Sequence, residues 1–185
     1  MNRPTVVLDV DGVVADFVGH TLSILGDRAP VRSSLRIWGV TDQFSDEDAQ
    51  LCHLRWRAPG WCRTMPVLPW SYNAVDRLSL RANVLWATAP LPNAPHWVAE
   101  RTAWLVQHFA ADPKSIFFVE DKSLVPGDIM VDDKPENVDK WATAHPNGTA
   151  LLWDAPYNEG WAPSTPNAHR VERWSQVFEA LNVRA

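Results

Sequence analysis

Residues 5–17 run Thr-Val-Val-Leu-Asp-Val-Asp-Gly-Val-Val-Ala-Asp-Phe, an apolar β-branched stretch that delivers Asp9 and Asp11 into a glycine. Side chains alternate faces along a strand, so the two aspartates share a side only until the chain leaves the pleat at Gly12. One carboxylate therefore stands at a strand tip and the second just beyond it. Hard cations take oxygen ligands, and phosphoryl chemistry needs a nucleophile beside a proton donor. An isolated Asp-x-Asp also describes a solvated turn. Its place at the end of a β-branched strand, directly before Gly12, is what separates the two readings.

Further short apolar runs at 83–87, 115–119, 128–131 and 149–153 predict buried strands in addition to 5–8. Between them lie stretches of helical length, with apolar residues near helical spacing over 94–109 and shorter candidates at 136–144 and 171–181. Strands that alternate with helices imply parallel pairing through crossovers, hence an α/β fold with a doubly wound parallel sheet covered on both faces. Residues 17–70 interrupt the alternation. A helix beginning at Phe17 gives way to polar and aromatic sequence, 46–56 predicts a second helix, and Pro66 and Pro69 forbid its continuation. The expected organisation is an α/β core of residues 1–16 and 71–185 with a small helical cap, 17–70, inserted after the first strand. Residues 154–170, rich in Pro, Asn and Gly, are expected to form a surface loop.

Ligands of such sheets sit beyond the carboxyl ends of the strands. The first strand brings Asp9 and Asp11 to that rim, and the second ends in Thr88 followed by Ala89-Pro90. The third is followed by Glu120-Asp121-Lys122, and the fourth ends in Asp132-Asp133. Each has an ordinary explanation: Thr88 as a helix cap, Lys122 as a solvated loop lysine, the acidic pair as a turn. Their recurrence at equivalent strand ends points to one crevice holding carboxylates, a hydroxyl and an ammonium.

A length of 185 residues suits one domain, or one domain carrying an insertion. The net charge of −5 and the absence of a basic stripe argue against a polymeric nucleic acid partner, while a small phosphate ester needs only local cations. No apolar run approaches bilayer length, and no secretory leader is evident, so no membrane association and a cytoplasmic location are expected. Cys52 and Cys62 are too few for a disulfide framework. The eleven tryptophans are scattered rather than periodic, with a concentration between Trp38 and Trp70.

The order of the rim residues resembles that of the haloacid dehalogenase-like superfamily, with its Rossmann-like sheet. Asp9-x-Asp11-Gly12-Val13 is similar to its first motif, Thr88 to its second, Lys122 to its third and Asp132-Asp133 to its fourth. Ala15-Asp16-Phe17, Asp121-Lys122-Ser123-Leu124-Val125 and Asp132-Asp133-Lys134-Pro135 resemble most closely the 5'(3')-deoxyribonucleotidases. That resemblance implies a Mg²⁺-dependent phosphomonoesterase acting on (deoxy)nucleoside monophosphates through an aspartyl-phosphate. Asp9 is the implied nucleophile and Asp11 the general acid and base. Asp9, Asp11 (through its backbone carbonyl) and an acid of the Asp132-Asp133 pair are the implied metal ligands. The residues alone leave that pair equivalent, and the resemblance favours Asp133. Lys122 and Thr88 are expected at the phosphate with Ala89 beside them, and Phe17 and Trp61 at the base, where Trp38, Phe44 and Trp56 extend an aromatic slot. The nucleotidases it resembles are often dimers, so a homodimer is part of the expectation. Two departures stand out. Ala89 replaces a serine of the second motif, and Lys134 replaces an arginine, giving up its planar fork. Alternatives are a phosphatase of the same fold for a sugar phosphate, a polynucleotide 3'-phosphatase, and a non-catalytic scaffold; the intact acid and lysine set disfavours the last.

Overall fold

The computed structural model describes residues 3–184. Six parallel strands form one sheet: β1 (Thr5–Leu8), β2 (Asn83–Thr88), β3 (Ile116–Phe118), β4 (Ile129–Asp132), β5 (Thr149–Trp153) and β6 (Ala168–Val171). Their spatial order is β3-β2-β1-β4-β5-β6. The chain thus winds outward to one side of β1, then crosses over and winds outward to the other. The place where it reverses, between β1 and β4, is where such sheets open a crevice. Leu8 lies opposite Trp86 on β2 and Val131 on β4. The Asp9 N–H extends that ladder by donating to the Val131 carbonyl at 2.9 Å. Register alone therefore brings Asp9 level with the acidic end of β4.

The central strands are apolar on both faces because both are covered. Val6, Leu8, Trp86, Ile129 and Val131 join a cluster with residues of α3 (Ser71–Ser79), α4 (Trp97–Phe109) and α6 (Trp174–Arg184). Val7, Ala87, Met130, Ala150 and Leu152 join a second cluster with Val138, Trp141 and Ala142 of α5 (Pro135–Ala144). Two fully buried tryptophans of this core have their indole N–H groups satisfied, while those of Trp61 and Trp97 have no hydrogen-bond partner. Trp104 donates to the Met65 carbonyl at 2.7 Å and Trp141 to that of Val125 at 2.9 Å.

Between β1 and α3 lie α1 (Phe17–Leu25), α2 (Asp46–Trp56) and several short 3₁₀ turns. Asp16 caps α1 by accepting the Gly19 N–H. Ser45 caps α2, whose first turn carries Asp46, Glu47 and Asp48 against the positive end of the helix dipole. The proline-containing strap returns this segment to its point of departure. Asp16 N–H donates to the Pro66 carbonyl, and Leu68 N–H to that of Val14, both at 2.8 Å. The insertion thus leaves and rejoins the sheet at the tip of β1.

One expectation is overturned at the carboxyl end of the chain. Residues 168–171 form a sixth strand, where a loop and then a helix from 171 are expected; α6 begins at Trp174. β6 is an edge strand, paired only with β5, so Ala168 and Val171 are buried while His169 faces solvent. Its sequence, Ala-His-Arg-Val, has no continuous apolar run to announce it.

Candidate active site

The acids of the rim converge. Ligand oxygens of Asp9, Asp132 and Asp133 all lie within 4.8 Å of one another, and all three residues are buried. Lys122, from the 3₁₀ turn after β3, reaches between them, with Nζ 2.7 Å from Asp9 Oδ1 and 2.7 Å from Asp132 Oδ2. Asp9 Oδ1 also accepts the Val10 N–H at 2.6 Å. Asp132 is saturated: it takes Lys122, the Lys134 N–H at 2.8 Å, and the Asn137 side-chain amide at both of its oxygens. Asp133 takes the Tyr157 hydroxyl on Oδ2, and its backbone carbonyl accepts the Asn158 amide at 2.8 Å.

Past Asp9 the chain folds into a tight turn in which Val14 and Ala15 N–H both donate to the Val10 carbonyl. Gly12 sits there at φ +80°, and a Cβ at that position would collide with the Asp133 carboxylate and press on Tyr157. Glycine is required twice over, for the backbone conformation and for the approach of β4. The turn projects Asp11 away from the acidic cluster. Its Oδ1 lies 2.6 Å from Nη2 of Arg101, whose side chain is completely buried on α4 between Trp97 and Trp104.

Burial dominates the electrostatics. It raises Asp9 well above the usual carboxylate range, with the Asp132 charge adding to it and Lys122 opposing. Burial, then the Asp132 charge, pushes Asp133 up to about 7, against the hydrogen bond from Tyr157. Burial would lower the Lys122 ammonium, but Asp132 and Asp9 outweigh it and hold the group above its ordinary value. Three carboxylates against one ammonium leave two formal negative charges in a water-poor pocket. An all-oxygen cluster with that deficit fits a hard divalent cation.

Above this cluster lies a cavity of about 420 Å³. Asp9, Asp11, Lys122 and Asp133 line its floor with Ala89, and Phe17, Trp38, Val40 and Trp56 from the insertion line its upper walls. Asp132 lies behind Lys122 rather than on the wall. Thr88 is buried at the end of β2 with its hydroxyl unpaired, and it too lies behind the lining, which Ala89 provides. Trp61 departs from expectation: it does not line the cavity. It is buried behind the wall, with ring centroids 5.4 Å from Phe17, 4.7 Å from His20 and 5.9 Å from Trp97, because the aromatic residues around it need a core of their own. Phe44 packs likewise into the small interior of the insertion. Trp38, by contrast, is half-exposed at the mouth, where the Lys134 ammonium lies 4.1 Å from its ring centroid.

Four site residues escape the sequence reading: Arg101, Asn137, Tyr157 and Asn158. A signal for Arg101 exists, since it falls at helical spacing between Trp97 and Trp104, and a charge on a buried stripe calls for a partner. The other three have no pattern that separates them from ordinary loop or helix residues.

A parallel sheet of this order, with acids and a lysine gathered at its switch point, has the haloacid dehalogenase-like fold. Solved structures with this fold include the "putative HAD-hydrolase YfnB" of Bacillus subtilis (TM-score 0.61, 12% identity, 98% of this chain and 100% of that one). A "putative haloacid dehalogenase-like hydrolase" of Burkholderia xenovorans matches with a TM-score of 0.57 at 17% identity, covering 96% of both chains. The sequence narrows the class: residues 3–185 match the family described as 5' nucleotidase, deoxy (pyrimidine), cytosolic type C protein, and the chain belongs to it. Among its relatives is a "Putative 5'(3')-deoxyribonucleotidase" of Bordetella pertussis, 29% identical over 83% of this chain and 84% of the relative. A protein of the same name in Staphylococcus aureus is 25% identical over 96% of this chain and 94% of the relative. The chain is therefore a phosphatase of the nucleotidase group. No helix among the described residues is long and apolar enough to cross a membrane.

Proposed function

We propose that the protein hydrolyses (deoxy)nucleoside monophosphates to nucleoside and phosphate, with Asp9 as nucleophile and Mg²⁺ as cofactor. The observation that carries this reading is the Asp9–Lys122–Asp132–Asp133 cluster at the floor of an aromatic-walled cavity sized for one small ligand. A cavity of this size suits a mononucleotide rather than a polymer, and its Phe17, Trp38 and Trp56 walls suit the planar base. Sugar phosphates offer no such face, which favours nucleotides over the alternative.

Asp9 Oδ1 is held by Lys122 and the Val10 N–H, which leaves Oδ2 to attack phosphorus. The new bond yields an aspartyl-phosphate, and the ester bond breaks with its electron pair on the departing alkoxide. Asp11 gives that oxygen its proton. It then takes a proton from the water that attacks the aspartyl-phosphate, releasing orthophosphate and restoring Asp9. Arg101 keeps the Asp11 carboxylate in a fixed orientation at the cavity wall. Lys122 neutralises charge on the phosphoryl oxygens. Asp9 and Asp133, with the Asp11 backbone carbonyl, would hold Mg²⁺, which supplies the charge neutralisation that lets a carboxylate approach a phosphate dianion. Saturation of Asp132 by Lys122, Lys134 N–H and Asn137 supports Asp133 as the direct ligand and Asp132 as the residue that positions Lys122. Residues 17–70 act as the lid that selects the leaving group.

The test is a panel of deoxy- and ribonucleoside monophosphates and sugar phosphates with Mg²⁺, on wild type and Asp9→Asn. Phosphate release from nucleotides, abolished in the variant, is expected. An Asp9→Asn protein that retains near-normal turnover refutes the mechanism, and turnover confined to sugar phosphates refutes the substrate class.

A further inference from the structure

We propose that Tyr157 is a positioning residue that fixes the Asp133 carboxylate for the divalent cation and ties that carboxylate to the lid; this rests on the functional reading above. Tyr157 sits in the 3₁₀ turn Pro156–Asn158, in the loop before β6, with a side chain that is 8% exposed. Its hydroxyl donates to Asp133 Oδ2. No hydrogen bond from the described residues reaches Asp133 Oδ1, so one oxygen is held and the other is left for a ligand. The aromatic ring faces the opposite way in function. It belongs to the small apolar cluster of Val18, Leu35 and Val40, all from the insertion. One side chain thus touches both a cluster acid and the lid.

The support behind Tyr157 is rigid. The Asn158 amide donates to the backbone carbonyls of Asp133 at 2.8 Å and Trp153 at 2.9 Å. The Asn158 side-chain oxygen accepts from Ala155 N–H at 3.1 Å and from Arg170 at 2.8 Å. Arg170, anchored on β6, also donates to the Asn158 carbonyl and pairs with Asp154. These bonds tie the turn to the ends of β4, β5 and β6 at once. A hydroxyl delivered from such a turn restricts the rotamer of Asp133 before any cation arrives, as outer hydrogen-bond partners do at metal sites generally. Gly12 completes the device, since any side chain there would occupy the space where the carboxylate and the phenol meet.

The experiment measures Mg²⁺ binding itself, by calorimetry on the full chain without nucleotide. Tyr157→Phe keeps the ring against the lid and removes only the hydroxyl; a roughly 10- to 100-fold weaker Mg²⁺ affinity is expected. In an Asp133→Asn background the same change is expected to shift affinity less than about twofold, the coupling that a merely structural role would not produce. Nucleotide KM at saturating Mg²⁺ is expected to rise in Tyr157→Ala and not in Tyr157→Phe, because only the former opens the lid cluster. A second readout leaves the Tyr157 hydroxyl in place. The chain has two tyrosines, Tyr72 and Tyr157. In Tyr72→Phe protein labelled with 3-fluorotyrosine, the single ¹⁹F resonance is expected to move on Mg²⁺ addition. Wild-type Mg²⁺ affinity in Tyr157→Phe, or a ¹⁹F line indifferent to Mg²⁺, overturns the inference while leaving the functional reading standing. A wild-type protein that takes up no Mg²⁺ overturns both.

Discussion

Replacing Lys122 by Met tests the electrostatic heart of the site. The ammonium is 4% exposed and lies 2.7 Å from both Asp9 Oδ1 and Asp132 Oδ2. Met fills much the same volume as the lysine stem, so the cavity contribution is small and the loss is chiefly that of the charge. Removing one member of a buried ion pair costs about 3–5 kcal/mol, because the remaining charges lose their partner and not merely their attraction. For a domain of this size that corresponds to a melting temperature lower by roughly 10 °C. The deficit has a definite pH dependence. Lys122 opposes the burial that raises Asp9, so without it that carboxyl moves further upward and the folded protein gains affinity for protons relative to the unfolded chain. Stability is then retained at low pH and lost as pH rises through the folded-state value of Asp9. Urea unfolding followed by tryptophan fluorescence, in chelator, is expected to show a loss of about 3–5 kcal/mol at pH 8 that shrinks at pH 5. Asp132→Asn in the same background is expected to restore part of it. A loss below about 1 kcal/mol, or one that does not vary between these pH values, refutes the account of Lys122 as the counter-charge of a buried acidic cluster.

The remaining predictions concern the cation and the mouth of the cavity. Burial and the Asp132 charge raise Asp133 to about 7, so in metal-free protein this carboxyl favours folding below its unfolded value near 4 and loses that contribution as pH rises through about 7. The span corresponds to on the order of 4 kcal/mol, and Mg²⁺, which needs the ionised form, is expected to stabilise the protein far more at pH 8 than at pH 5.5. Equal Mg²⁺-induced shifts in the urea midpoint at the two pH values would contradict it. Trp38→Ala removes both a cavity wall and the cation–π contact with Lys134, and a nucleotide KM raised about 5- to 30-fold is expected, with a smaller effect on a phosphate ester lacking a base. Equal losses on both substrates would remove Trp38 from base recognition.

Five of the six strands could be read along the chain: the four interior strands are buried on both faces and carry continuous apolar runs, and the edge strand β3 carries one as well in Ile116-Phe117-Phe118. β6, the other edge strand, could not: its buried residues are Ala168 and Val171, one on each face, with the polar His169 and Arg170 between them. The same physics separates the site residues. Asp9, Asp11, Thr88, Lys122, Asp132 and Asp133 all follow or end strands, so one rule of parallel sheets collects them at one rim. Trp61 illustrates the limit of composition: an aromatic near a site packs the interior or lines the cavity according to neighbours that lie far away in sequence, here Trp97 and His20.

Chain order alone determined the sheet type, the rim where the acids and the lysine gather and the segment that follows the first strand, because those depend on local periodicity and on which residues terminate strands. Tertiary packing decided how the acids divide their labour. Asp132 and Asp133 are adjacent and chemically identical, yet one is locked by Lys122 and Asn137 while the other meets Tyr157 and faces the cavity. Successive side chains at the end of a strand point in opposite directions, and what each one meets is set by parts of the polypeptide brought there only by folding.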